Sequence, residues 1–343
     1  MLADPFVYTL PPERIAQRPC CPPEAAKMLV YDRRDEKIQH LQFCDLPKLL
    51  SPSDTLVFND TKVIPARLYG TIDGVSEGTV EILLLEELER DTWRAIGYPM
   101  KKLRRAEHVS FSDELSAQIG IYQDASELLL KFHSSSEQLP RTLIDELGSM
   151  PIPPYIRSGR SDNQDKSDYQ SIFAQREGSV AAPTASLHFS GKLIEELQHN
   201  VRCTIEKVTL HVGSPSFLPV LVGDEVKAPG EEVAVVSSKT AQLLQDKKNS
   251  AGRIVAVGTT VVRALESIID YGQGFCGKTS LFIQGAHDFK CVDCLITNFH
   301  QPGTTHLLLV QALVGRKALQ RIYESALDNQ YRFLSYGDGM LVL

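Results

Sequence analysis

Three histidines stand in polar segments where an imidazole, which titrates near neutral pH, could move a proton. His188 closes the run Arg176-Glu177-Gly178-Ser179-Val180-Ala181-Ala182-Pro183-Thr184-Ala185-Ser186-Leu187-His188-Phe189. Its small residues let backbone approach a ligand closely, while Arg176, Ser179, Thr184 and His188 supply polar reach. A structural loop with a packed histidine fits the same pattern. His211 lies in Thr209-Leu210-His211-Val212-Gly213, at the end of an alternating apolar run. Ligands bind at the C-terminal ends of parallel strands, although a lone strand histidine is often simply a satisfied core residue. His300 lies in Thr297-Asn298-Phe299-His300-Gln301-Pro302-Gly303-Thr304-Thr305-His306, where Asn298 and His300 would project from a strand end on the same side.

Two further segments offer anion and hydroxyl recognition. In Val257-Gly258-Thr259-Thr260-Val261-Val262-Arg263-Ala264-Leu265-Glu266, a strand, a glycine turn and a helix start would present backbone N–H groups to a carboxylate or phosphate. Arg263 and Glu266, three apart, share a helix face; a capped helix with a surface ion pair is the plainer reading. Arg332-Phe333-Leu334-Ser335-Tyr336-Gly337-Asp338 is a polar-aromatic loop near the C-terminus. The densest basic patch is Lys101-Lys102-Leu103-Arg104-Arg105, either a phosphate-binding strip or a solvated face. There is no phosphate-binding P-loop, no G-x-G-x-x-G and no H-E-x-x-H, and no G-x-S-x-G elbow supports a Ser/His/Asp triad.

The elements that must position these groups fall into two styles. Between residues 61 and 150, short alternating runs at 66–72, 79–85, 93–98, 109–111, 115–122 and 127–133 are separated by turns such as Asp73-Gly74 and Glu77-Gly78. That spacing predicts a small β-barrel or sandwich, with a short helix over 138–148. Pro151-Ile152-Pro153-Pro154-Tyr155 is a rigid extended stretch, and the polar run 158–167 reads as a mobile surface loop. From about 170 the pattern alternates. Helices are expected over 192–198 (with Ser190 as N-cap), 239–248, 260–271, 305–314 and 317–329. Strands are expected over 203–212, 253–257, 280–284 and 290–297, joined by early strands at 28–32 and 55–59. This predicts an α/β domain with a largely parallel sheet or barrel.

The 343 residues suffice for two domains, or for one large domain with an insertion. Hydrophobic and charged fractions of 43% and 23% are those of a globular protein. The most apolar stretch, 307–314, contains Gln311 and is too short to span a bilayer. No secretory signal is visible, so the expected compartment is the cytoplasm, with no membrane attachment. A net charge of −7 does not advertise a nucleic-acid binder, yet a local basic patch can supply the contacts. Seven cysteines, odd in number and irregularly spaced, argue against a disulfide framework. Cys291 and Cys294 form a lone C-x-x-C without a second pair of ligands, so no metal site is expected and buried thiols are the plainer reading.

Taken in order, these segments closely resemble the S-adenosylmethionine:tRNA ribosyltransferase-isomerases of queuosine biosynthesis. The matching stretches begin with Leu10-Pro11-Pro12-Glu13-Arg14-Ile15-Ala16-Gln17, Leu56-Val57-Phe58-Asn59-Asp60-Thr61 and Ile64-Pro65-Ala66-Arg67-Leu68. They continue with 178–189, 209–213, 257–267, 297–302 and 331–341, essentially the whole chain; G-S-V-A-A-P-T-A-x-L-H-F and T-N-F-H-x-P are the most specific. The resemblance implies a barrel-like α/β catalytic domain from 1–60 and 151–343, with a small β-barrel inserted at 61–150. It also implies the reaction: the ribosyl part of S-adenosylmethionine is transferred to a 7-aminomethyl-7-deazaguanine at the tRNA wobble position. Rearrangement gives epoxyqueuosine, with adenine and methionine released. S-adenosylmethionine is then a consumed co-substrate, no cofactor is required, and the chain is expected to be a monomer.

Such chemistry needs a base for the carbon beside the sulfonium and an acid for the departing adenine. His188, His211 and His300 are the candidates, with the roles undivided between them. Arg263 with Gly258-Thr259-Thr260 would hold the methionine carboxylate. Glu266 and Asp338 would take ribose hydroxyls. Arg176, Ser179, Thr184, Asn298 and Tyr336 would complete the substrate contacts, and Lys101, Lys102, Arg104 and Arg105 would hold tRNA phosphates. The chain departs from the family in two places. The usual H-x-M-H-x-E reads Lys227-Ala228-Pro229-Gly230-Glu231-Glu232, keeping only the last glutamate, and the usual R-D-x-S-R reads Pro23-Glu24-Ala25-Ala26-Lys27. Two other readings follow: a catalytically impaired family member that still binds tRNA, and an unrelated α/β hydrolase acting on a small polar substrate.

Overall fold

The computed structural model describes residues 6–72, 79–122, 127–213, 221–222, 225–226, 228, 230–250, 252–268 and 273–343. The turns at Asp73-Gly74 and Glu77-Gly78, together with Lys227 and Pro229, lie outside the described residues. Contacts divide the chain into two compact units, one of Met1–Thr61, Gln170–Arg176 and Ala182–Leu343, the other of Lys62–Tyr169 and Glu177–Ala181.

In chain order the strands are β1 (Lys27–Asp32), β2 (Lys37–Gln42), β3 (Thr55–Asn59), β4 (Thr61–Val63), β5 (Arg67–Ile72), β6 (Thr79–Glu89), β7 (Thr92–Tyr98), β8 (His108–Ser110), β9 (Leu115–Tyr122) and β10 (Glu127–Ser134). They continue with β11 (Arg176–Ser179), β12 (Thr204–Leu210), β13 (Leu221–Val222), β14 (Glu225–Val226), β15 (Glu232–Val236), β16 (Ile254–Val257), β17 (Phe275–Thr279), β18 (Cys294–Asn298) and β19 (Gly339–Val342). The helices are α1 (Met100–Leu103), α2 (Pro140–Leu147), α3 (Asp165–Asp168), α4 (Gly191–Glu196), α5 (Ser238–Asn249), α6 (Thr259–Glu266), α7 (Thr305–Val314) and α8 (Arg316–Asp328).

The larger unit is built on a nine-stranded sheet of order β17-β15-β12-β3-β16-β18-β19-β1-β2. Its centre is parallel, through β12–β3, β3–β16 and β16–β18, and β19 is parallel to β1. The flanking pairings β17–β15, β15–β12, β18–β19 and β1–β2 are antiparallel. The sheet is therefore mixed, with the expected parallel character in its central block and in the separate β19–β1 pair. β3, β16, β18 and β19 are buried at every position, as strands covered on both faces must be. One core cluster packs Met28, Val30, Phe43, Leu56, Phe58, Phe189, Val255, Val257, Ile296 and Leu341. Two starts of the central block are pinned together: Asp54, 1% exposed, accepts from Arg253 Nε and Nη2 at 2.9 and 2.6 Å.

The smaller unit contains a closed antiparallel barrel of order β10-β7-β6-β5-β8-β9. The period-2 alternation read in the sequence sends Leu68, Val80, Ile82, Leu84, Trp93, Ala95, Leu128 and Leu130 inward to fill it.

Three local expectations differ from the structure. No strand forms over 280–284. Leu281 N donates to Thr279 Oγ1 and the Leu281 carbonyl accepts from Arg263 Nε, so side chains satisfy the backbone a ladder would use. The edge strand is Phe275–Thr279 instead. α6 ends at Glu266, with the Ser267 hydroxyl also donating to the Arg263 carbonyl; residues 269–271 of the expected span lie outside the described residues. The polar run 158–167 is not a bare loop: Asp165 is fully buried, takes both its oxygens to Arg157 Nη2 at 2.5–2.6 Å and accepts from Asp162 N at 2.7 Å.

Candidate active site

The neighbours β12, β3, β16 and β18 run in one direction, so their C-terminal ends lie along one edge of the sheet. The chain leaves that edge at His211, Asp60, Gly258 and Phe299. β19, antiparallel to β18 with Asn298 opposite Gly339, brings the preceding Asp338 to the same edge. This is the position at which open α/β sheets bind ligands.

His188 ends a single 3-10 turn, Thr184–His188, and is 5% exposed, stacked on Phe43 at 4.0 Å. Its Nε2 lies 3.2 Å from the Asn298 side-chain nitrogen, which also donates to the Leu334 carbonyl at 3.3 Å. A carbonyl can only accept, so the amide group must face Leu334 and His188 with its NH2. Thr184 Oγ1 donates to the other end of that amide, Asn298 Oδ1, at 2.8 Å. His188 Nε2 is therefore an acceptor, and its neutral ring carries the proton on Nδ1. Burial, with a smaller contribution from Arg332, holds the His188 pKa down at about 3.

A second group surrounds His211. Asn59 fixes the exits of β3 and β12: its Oδ1 accepts from Thr61 N and Leu210 N, and its Nδ2 donates to the Leu210 carbonyl at 2.9 Å. The same Nδ2 reaches Thr260 Oγ1 at 3.4 Å, tying this group to the start of α6. His211 Nδ1 is 2.8 Å from Thr61 Oγ1. Asp60, 6% exposed, accepts from Thr209 Oγ1 at 2.6 Å and lies 3.7 Å from Arg176 Nε. Asp60, Arg176, Lys207, Thr209, Ser237 and Thr240 line an open cleft of about 300 Å³. Burial lowers the His211 pKa below 6.5; Asp60 opposes that shift and Arg176 adds to it. Asn59 and Asp60 were absent from the candidates drawn from the sequence. The signal was available, since both follow the apolar run Leu56-Val57-Phe58 at the end of a parallel strand.

His300 is held through its backbone: its N donates to Tyr323 Oη at 2.9 Å and its carbonyl accepts from Tyr8 Oη at 2.6 Å. Its Nε2 meets Thr297 Oγ1 at 2.8 Å, and its ring stacks on His306 at 5.2 Å. Burial first, and His306 second, hold its pKa well below 6.5.

Other expected contacts are engaged elsewhere. Arg263 is buried against Glu232 and also donates to the Leu281 carbonyl, and it lines a small pocket together with Thr259 and His306. Glu232, the residue retained from the altered family segment, also accepts from Gly213 N at 3.1 Å. The Glu266 carboxylate accepts from the amides of Lys290, Cys291 and Val292, each at 2.9 Å, and thus anchors a loop. Asp338, 2% exposed, accepts from Lys27 N at 3.0 Å and Arg332 N at 2.7 Å, joining two chain segments. Tyr336 is 2% exposed within the same loop. Gly258 precedes α6 at φ +101°, a conformation side chains resist, while Thr259 and Thr260 are buried in the first turn.

In the barrel unit, Ser179 is buried and its hydroxyl donates to the Ala181 carbonyl at 2.7 Å. Lys101, Lys102, Arg104 and Arg105 are all exposed, on α1 and the turn after it, with Leu103 buried beneath them. α1 sits close because Gly97 has no side chain; a Cβ there would lie 2.3 Å from Leu103 Cδ1. Cys291 and Cys294 are buried in the larger unit, and burial raises the Cys294 pKa to about 11, keeping it a thiol.

A family profile described as "Queuosine biosynthesis protein" matches residues 3–342. An S-adenosylmethionine:tRNA ribosyltransferase-isomerase from Ruegeria pomeroyi is 42% identical, with 98% of each chain covered. Another from Thermotoga maritima is 40% identical over the full length of both chains. The structure is similar to the crystal structure of an S-adenosylmethionine tRNA ribosyltransferase from Thermotoga maritima, with a TM-score of 0.56 and 34% identity over 98% of this chain and 99% of that one.

Proposed function

We propose a division of labour along this sheet edge from the premise that the chain belongs to the S-adenosylmethionine:tRNA ribosyltransferase-isomerase family of queuosine biosynthesis. The enzyme moves the ribosyl part of S-adenosylmethionine onto 7-aminomethyl-7-deazaguanine in tRNA and isomerises it to epoxyqueuosine, releasing adenine and methionine. Two proton transfers are needed. A base takes the proton from the carbon next to the sulfonium, whose charge stabilises the carbanion formed. An acid or hydrogen-bond donor relieves the charge that develops on departing adenine.

The observation that divides these tasks is the Asn298 amide. It occupies the Nε2 lone pair of His188 and leaves an N–H on Nδ1, so His188 is suited to donating toward adenine and not to removing a proton. His211 is suited to be the base. It is less buried, and its Nδ1 can donate to Thr61 Oγ1, which puts the ring's lone pair on Nε2. Asp60 takes the place foreseen for Glu266 and Asp338, accepting from the ribose hydroxyls, with Arg176 and Thr209 beside it. Gly258, Thr259 and Thr260 at the start of α6 receive the methionine carboxylate, with Arg263 on the same helix held in place by Glu232. His300 supports the Thr297–Asn298 strand end through Thr297.

Lys101, Lys102, Arg104 and Arg105 hold tRNA phosphates. The functional division follows 1–60 with 151–343 as the catalytic part and 61–150 as the inserted barrel. Among the described residues no helix is long and apolar enough to cross a membrane, and a monomer working in the cytoplasm, where tRNA is found, accords with the reading. The test is single-turnover adenine release by His211→Asn and His188→Gln across pH. Loss of the base removes the acid limb of the rate profile, whereas loss of the donor lowers the rate at every pH. Identical profiles for both variants would contradict the division.

A further inference from the structure

We infer that the outer face of the barrel around Tyr98 is a stacking surface for unpaired bases of the tRNA loop, an inference that rests on the tRNA reading above. Tyr98 is the last residue of β7 and is 74% exposed, the most exposed of the large apolar side chains among the described residues. Tyr69 on β5 is 45% exposed. The registers Tyr69–Glu81 and Glu81–Tyr98 place the two rings in one row across β5, β6 and β7. Directly opposed residues in antiparallel strands share a face, so both rings stand on the outside of the barrel. Two strand spacings put them about 10 Å apart, a separation that suits bases splayed from a loop and not a continuous stack.

The charges around the row fit an anionic strand. Glu81 stands between the rings, but Arg67 Nε neutralises it at 3.0 Å. Thr71 and Thr79, paired in the next row, add two hydroxyls. The chain leaves Tyr98 through Pro99 directly into α1, so Lys101, Lys102, Arg104 and Arg105 follow within seven residues of the exposed ring. Exposed aromatic rings beside a cationic strip on a small antiparallel barrel are the combination by which proteins hold single-stranded nucleic acid. The rings take base faces and the cations take phosphates.

The test is the affinity of the full chain for tRNA carrying the modified wobble base, and for its isolated anticodon stem-loop, as a function of salt. Tyr98→Ala is expected to weaken both by about 5- to 150-fold, the range base–aromatic stacking supplies, without changing the slope of affinity against salt. Tyr98→Phe, which keeps the ring, recovers most of the binding. Lys101→Ala with Arg105→Ala reduces the salt slope instead. Wild-type binding that Tyr98→Ala leaves intact overturns the stacking surface while sparing the tRNA reading. So does a Tyr98-dependent shift in the sedimentation of the chain alone, which would make the face a protein contact. Failure of the wild-type chain to bind or turn over the modified tRNA is a different result and removes the premise.

Discussion

On the proposed division of labour, the residue with the most leverage is one that need not touch the reacting atoms. Asn298 sets the tautomer of His188 through an amide whose orientation the Leu334 carbonyl and Thr184 hydroxyl fix from both sides. Asn298→Asp replaces the donor by an acceptor, so Nε2 must itself carry a proton and the Nδ1 hydrogen is no longer assured. Adenine release is expected to fall about 100-fold, the ordinary size of a lost acid-base contribution, with little change in the KM for tRNA; a loss confined to KM would contradict the positioning role. His211 makes a separate prediction. Its pKa lies below 6.5 through burial, and a base works only when neutral, so the rate is full above that pKa and is lost as pH falls through it. His188, neutral down to about pH 3, contributes no limb near neutrality. A rate profile measured in His211→Asn that keeps the wild-type acid limb would assign that limb to another group.

At the scale of elements, the parallel block β12-β3-β16-β18 brings the site together from four separate stretches of chain. Its registration depends on a polar anchor at the opposite ends of its strands. Asp54 precedes β3 and Arg253 precedes β16, and their paired hydrogen bonds hold these starts level. The aspartate is buried while the arginine is one-third exposed, so Asp54→Asn is expected to cost about 1–3 kcal/mol, between the values for exposed and buried pairs. Denaturant unfolding measures this directly, and an unchanged midpoint would remove the anchor. The strands and helices were largely legible because their patterns are local: alternation in β5 to β10, apolar runs in β3 and β16, and Ser190, whose hydroxyl caps α4 by accepting from Leu193 N. The pairing was not legible. Nothing local tells β19 to enter between β18 and β1, or β17 to take the edge in place of 280–284. The same holds for the site. His188 and His211 stand out by type and loop position, whereas the engagement of Arg263 with Glu232, and of Glu266 with three amides, depends on segments far away in sequence. Asp60 was overlooked because a single aspartate after a strand carries no pattern until its neighbours are known.

The molecule carries several imidazoles held below their usual pKa, and this has a consequence for its stability in acid. His188 and His306 are held down at about 3 and about 4, chiefly by burial, whereas an unfolded histidine titrates near 6.5. The unfolded chain therefore binds more protons between those values. Stability is full above about pH 6.5 and falls as pH drops toward 4 and then 3, at up to about 1.4 kcal/mol per pH unit for each such histidine. His306 lines a small pocket with Leu281, Phe282, Ile283 and Leu309 as well as Thr259 and Arg263, so His306→Leu is expected to flatten the decline of Tm with acid, and an unaltered slope would contradict the assignment. Function at this scale takes tRNA and S-adenosylmethionine as joint substrates. The most direct test measures adenine release from S-adenosylmethionine with and without tRNA carrying 7-aminomethyl-7-deazaguanine. The account predicts release only when the modified tRNA is present, in equal amount to the epoxyqueuosine formed. No release from a chain that still binds that tRNA would contradict it.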